Sequence, residues 1–204
     1  MTMKVEIPRA YLHGALMTPK AFNYIRSRHH VSHEAVPYYD AAGDSIEHNI
    51  ELVYRELKGE FKDRPFDIIS HSMGGLMAIY FLQERYQLNI RKIVGLSVPY
   101  AGVAGSYWMR YILPRCHLFK DISTGSQVVL DMKNIEVTVP LLNIVTTWGS
   151  DFFGAKKNDG VVSVESQSSI EGPNITTKEF YVNHMEVLLD PEVATLIREF
   201  LEND

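Results

Sequence analysis

Ser70-His71-Ser72-Met73-Gly74-Gly75 decides the reading of this chain. It follows a short apolar run, Phe66-Asp67-Ile68-Ile69, and precedes an apolar pattern of helical character from Leu76 to Tyr86. A serine on a sharp strand-to-helix turn presents its hydroxyl at the end of a sheet. Such a turn needs small residues two before and two after the serine, and Ser70 and Gly74 occupy those places. The amide of Met73 would open the helix, where unpaired N–H groups and the helix dipole favour a developing oxyanion.

Outward from that turn, apolar segments alternate with amphipathic ones. Ala10-Tyr11-Leu12 reads as a strand ending at His13-Gly14, and Ala21 to Arg26 as a short helix. Glu34 to Tyr39 reads as a strand, placed near an edge by Pro37. Asp44 is expected to cap a helix, with Glu47 completing a capping box and Ile46, Ile50, Val53, Leu57 and Phe61 forming its apolar face. Ile93 to Val98, Val139 to Thr147 and Glu179 to Val182 complete the strands. Asp190-Pro191 opens a final helix. This alternation implies a mostly parallel sheet covered by helices on both faces, with active groups at the carboxyl ends of its strands.

Bulk properties narrow the function. The 204 residues suffice for one domain spanning the chain, and 46% apolar with 22% charged residues is ordinary for a globular protein. A formal net charge of −5, with scattered Lys and Arg, gives no basic patch for nucleic acid. No apolar run approaches the roughly 20 residues of a membrane span. Cys116 is the single cysteine, which excludes an internal disulfide. Met1-Thr2-Met3-Lys4 shows no apolar signal core, so a cytoplasmic location is the default expectation, with a mature secreted form as the alternative.

A serine hydroxyl needs a base, and the base needs an orienting carboxylate. Eight histidines compete for the first role. His184, in Val182-Asn183-His184-Met185 between the last strand and the last helix, is the preferred base. His29, His30, His33 and His48 stand in polar surroundings and are expected at the surface. His71 neighbours Ser72 on a sharp turn, where adjacent side chains point apart. Asp159 and Asp151 both follow the long strand; Asp159, in a turn before Val161-Val162, is preferred as the acid. The second oxyanion donor is expected from Leu12-His13-Gly14-Ala15-Leu16, as the amide of Ala15 or of Leu16, with His13 and Gly14 beside the substrate.

Taken together, these residues resemble the α/β-hydrolase superfamily, and within it small bacterial lipases and related serine esterases. His13-Gly14 is similar to the oxyanion loop, the hexapeptide to the nucleophile elbow, Val98-Pro99-Tyr100-Ala101-Gly102 to a turn after the next strand, and Asp159-Gly160-Val161-Val162-Ser163 to the acid motif. Ser70 stands where the family commonly has glycine, and Tyr100 where it commonly has histidine. The resemblance implies a minimal α/β-hydrolase fold lacking the first strands of larger relatives, and cleavage of an ester or lipid through Ser72, His184 and Asp159. Thioesterase, amidase or acyltransferase chemistry would use the same three residues, and a non-catalytic binding protein could keep the fold. No cofactor is called for, and Asp151 with Asp159 offers too few ligands for a calcium site. Residues 100–137 hold Tyr107, Trp108, Met109, Tyr111, Ile112 and Leu113, which suit either a cap over an acyl pocket, with Trp108 and Ile112 on the substrate, or an ordinary packed helix. Exposed, such a segment would also suit contact with a lipid surface.

Overall fold

The computed structural model describes residues 6–40, 43–103, 118–149 and 156–203. Trp108, Ile112, the rest of residues 104–117 and Asp151 lie outside them, so the expected substrate contacts and the rival acid have no structural account, whereas Ile122, Val128 and Met132, in the later part of the expected cap at 100–137, pack into the core as an ordinary covering of the sheet.

Six parallel strands form one sheet in the order β2-β1-β3-β4-β5-β6. They are β1 (Arg9–Leu12), β2 (Glu34–Ala35), β3 (Phe66–His71), β4 (Ile90–Leu96), β5 (Leu141–Thr146) and β6 (Ile175–Phe180). The four central strands are buried almost throughout, as a parallel sheet covered on both sides requires. One face packs on α2 (Ile46–Phe61), α3 (Met73–Tyr80) and α5 (Gln127–Met132), through Ile50, Leu57, Leu76 and Val128. The other packs on α1 (Asn23–Arg28) and α7 (Pro191–Glu202), through Ile25, Val193 and Ile197. Two short helices, α4 (Leu118–Asp121) and α6 (Val164–Gln167), lie in the connections. Every residue of α3 is buried, so its apolar character runs all the way round rather than along a stripe.

Several expected boundaries move, each for a local reason. Ser45, not Asp44, caps α2: its hydroxyl accepts from the His48 amide at 3.2 Å, while the Ile46 amide donates to Asp121 at 2.8 Å from 75 residues away. The second strand stops at Ala35, two residues before a proline that has no amide to pair. The elbow helix ends at Tyr80, and Glu84–Tyr86 is a separate 3₁₀ turn. The last strand begins at Ile175 and ends at Phe180, earlier than the apolar residues suggest. Thr176, Thr177, Lys178 and Glu179 are exposed there because β6 is a sheet edge, where polar side chains discourage pairing with another chain.

Register aligns the chemistry. Leu12 pairs with Ser70, Ser70 with Gly95, His71 with Leu96 and Leu96 with Ile144. The carboxyl ends of β1, β3, β4 and β5 therefore share one rim. Gly74 lets α3 approach β1, since a Cβ there would collide with the Leu12 and His13 carbonyls. Gly74→Ala is expected to cost about 2–3 kcal/mol of stability. Gly59→Ala, inside α2 with nothing within 4 Å of the added carbon, is expected to gain roughly 0.5–1 kcal/mol. Urea unfolding of both variants checks the contrast; equal midpoints would contradict the close approach.

Candidate active site

Ser72 sits between β3 and α3 at φ 51° and ψ −123°, a conformation that side chains rarely adopt. Its amide donates to the Leu96 carbonyl at 2.9 Å, tying the turn to β4. The Ser70 hydroxyl beneath it donates to the Val94 carbonyl at 2.8 Å, so serine in place of glycine is accommodated with its polar group satisfied. Met73 opens α3, and its amide belongs to the first-turn donors that a helix cannot pair internally.

Asp159 and His184 meet across 25 residues: Oδ2 lies 2.8 Å from Nδ1, with both side chains buried. The His184 amide also donates to the Asp159 carbonyl at 3.0 Å, so backbone and side chain fix the pair together. The carboxylate collects five hydrogen-bond donors. Oδ2 accepts from His184, from the Thr146 hydroxyl at 2.7 Å and from Gln167 Nε2 at 3.1 Å; Oδ1 accepts from the amides of Val161 at 2.9 Å and Val162 at 2.7 Å. Burial pushes its pKa up, but the bond to His184, the charge there and the Thr146 and Val162 donors outweigh this and hold the carboxyl below its ordinary value. Gln167 is itself pinned, accepting from the Thr146 amide at 2.8 Å and donating to the Thr146 carbonyl at 3.0 Å. Ser97 Oγ, at 2.8 Å from the Thr146 hydroxyl, completes the chain of contacts.

His71 is not placed as a base. Its Nε2 is 2.8 Å from the His184 carbonyl, which only accepts, so Nε2 carries the proton. The two rings lie 4.7 Å apart at 56°. On its other side Nδ1 faces Gly14, where an added Cβ would come within 2.6 Å. His71 thus joins the loop after β1, the turn at Ser72 and the loop that carries His184. Burial, with the neighbouring His184, pushes it down to about 3.

His13 is fully buried rather than facing a substrate. Its ring stacks on Tyr39 at 3.9 Å and 8°, its Nδ1 is 2.9 Å from the Gly14 carbonyl, and the Tyr39 hydroxyl donates to the His13 carbonyl. The His13 side chain therefore shapes the loop, and Gly14 provides its close packing. Ala15 and Leu16 follow, and Leu16 has φ 57° and is largely exposed. Tyr39, Thr146 and Gln167 carry no motif of their own, and His71 stands inside one without its contact to the His184 carbonyl being visible there.

His29 is buried rather than exposed, as α7 covers it; burial first, then Arg9, pushes it down to about 4. His29 and His71 are thus neutral in the fold, whereas an unfolded imidazole titrates near 6.5. Between these values the unfolded chain binds more protons. The contribution of the two rings is present above about pH 6.5 and is lost as the pH falls through about 4 for His29 and about 3 for His71. At pH 5, His71 alone should cost about 2 kcal/mol. The urea midpoint should fall between pH 7 and pH 5, and His71→Phe should flatten that slope; an unchanged midpoint would contradict the buried neutral ring.

Beside Asp159 and His184 lies a cavity of about 540 Å³, walled by loops that follow β5 and β6. Among the described residues no group of three metal-ligating side chains forms a cation site, and no helix is long and apolar enough to cross a membrane.

A family model described as an alpha/beta hydrolase of unknown function (DUF915) matches residues 35–203. The chain belongs to this alpha/beta-hydrolase family. Solved structures agree with the fold of the hydrolase. The lin2722 gene product of Listeria innocua superposes with a TM-score of 0.71 at 13% identity, over 98% of this chain and 95% of that one. The mature lipase BlEst2 of Bacillus licheniformis gives 0.75 at 13% identity, over 98% and 94%. Phospholipase PlaB of Legionella pneumophila gives 0.78 at 12% identity, over 98% of the hydrolase but 60% of PlaB. No curated protein matches the sequence.

Proposed function

We propose that this hydrolase cleaves carboxylic esters by acyl transfer through Ser72 to water. The observation that carries the proposal is the buried 2.8 Å contact between Asp159 Oδ2 and His184 Nδ1. A carboxylate on Nδ1 selects the tautomer whose Nε2 lone pair is free to take a proton. His184 accepts the Ser72 proton as Oγ attacks the ester carbonyl. The oxyanion is held by the Met73 amide and one from Ala15 or Leu16. His184 then protonates the departing alcohol, and water releases the acyl group by the same steps in reverse order. The lipase and phospholipase among the structural neighbours support an ester or lipid substrate.

A fluorophosphonate probe should label Ser72 stoichiometrically, with the site located by peptide mass analysis. A p-nitrophenyl ester series from acetate to palmitate, with a thioester beside it, reads substrate class. Absence of labelling would sink the proposal. A thioester preferred over every oxygen ester would reassign it to thioesterase chemistry.

A further inference from the structure

Three large apolar side chains that the fold leaves partly exposed converge on the cavity beside the acid and base. Trp148, from the end of β5, is 47% exposed; Val161, from the acid turn, is 44%; Met185, next to the base, is 51%. They belong to three separate stretches of chain, yet all wall the same space together with Asp159, Asn183 and His184. Asn183 is occupied in holding that wall, since its Oδ1 accepts from the Met185 amide at 2.9 Å and the Glu186 amide at 2.8 Å. A concave space with apolar walls and a few convergent polar groups suits an apolar ligand moiety.

The position of this space relative to the chemistry selects which moiety. An imidazole that takes the serine proton returns it to the leaving oxygen, so the leaving group must lie on the imidazole side. The loop expected to supply an oxyanion donor follows β1 and packs on His71 through Gly14. The cavity is built from the loops after β5 and β6, on the opposite flank of β3 in the strand order. The loop after β1 and the cavity therefore lie on opposite flanks of β3, the strand that Ser72 follows.

We propose that Trp148, Val161 and Met185 form the subsite for the alcohol half of the ester, and that it prefers an apolar, ring-bearing alcohol. This rests on the hydrolytic reading above. In the step concerned, Ser72 Oγ bonds to the acyl carbon and the carbon–oxygen bond to the alcohol breaks. The alcohol oxygen keeps that electron pair and takes the proton from His184 Nε2. The free alcohol then leaves from the subsite before water enters.

The test varies the two halves of the ester separately. One series keeps acetate and changes the alcohol from methanol to butanol to benzyl alcohol. The other keeps a methyl ester and lengthens the acyl chain. Trp148→Ala and Met185→Ala should each lower the benzyl-to-methyl ratio of kcat/KM about tenfold, the scale of a lost apolar pocket contact. The acyl-chain slope should stay as in the parent protein. Leu52→Ser, an exposed leucine on α2 away from the rim, should leave the ratio unaltered. A ratio indifferent to Trp148 and Met185, or a change in the acyl slope in its place, would overturn the assignment. A titration of benzyl alcohol into the unmodified protein, read from ¹³C-methyl methionine signals with Met185 assigned by Met185→Leu, separates the two levels. A moving Met185 signal with no ester cleaved keeps the subsite and sinks the hydrolytic reading. A flat titration sinks the subsite even where esters are cleaved.

Discussion

Ser72→Ala is expected to reduce ester turnover on the order of a million-fold, because nucleophile, base and acid fail as a unit once one is gone. The fold should not suffer. Alanine keeps the backbone at φ 51°, and the hydroxyl it removes contributes little packing. Ser72→Gly should be equally inactive and more stable by about 1–2 kcal/mol, since glycine adopts that backbone conformation without the strain a side chain incurs. Ester kinetics with urea unfolding of both variants checks the pair. An inactive but stabilised glycine variant would mark the strain as retained for the position of Oγ. A glycine variant no more stable than the parent would contradict the strained turn.

Asp159→Asn is the second large effect, with an expected loss of about 10⁴ in kcat. The carboxylate faces donors on both oxygens, five in all. An amide must turn its NH₂ toward one set of them. Facing Val161 and Val162, it opposes two backbone amides that cannot reorient. Facing the other set, it forces His184 to accept at Nδ1 and carry its proton on Nε2, which removes the base. Either way a buried donor is left unpaired, for about 1–3 kcal/mol of stability. Turnover, urea midpoints and the imidazole N–H signals of His184 test this; a variant retaining the original tautomer and most of its activity would show that Asp159 is not the orienting acid.

The strand-to-helix turn at Ser72 and the alternation of segments are legible in the sequence because they depend on local chemistry. Small residues must flank Ser72, and strands buried on both sides must be apolar through Ile68-Ile69 and Ile93-Val94. What stayed hidden depends on partners far away in the chain. His71 acquires its role from a carbonyl 113 residues on, and Asn143 anchors Gln167 through a carbonyl 24 residues away at 2.9 Å. His29 looks exposed in sequence because its local neighbours are polar; it is the covering helix, α7, that buries it. The strand β6 lies earlier than its apolar residues suggest because an edge strand lacks the apolar signature of the interior ones. Asp44 and Ser45 are both competent caps, and only the fold chooses between them.

One bond reaches beyond its own neighbourhood. His71 is joined covalently to Ser72 and holds the carbonyl of His184. The Ser72 turn and the His184 loop thus hang from a common yoke instead of being suspended separately from distant strands. Motion that shears β3 against β6 is therefore expected to carry the Ser72 turn and the His184 loop together.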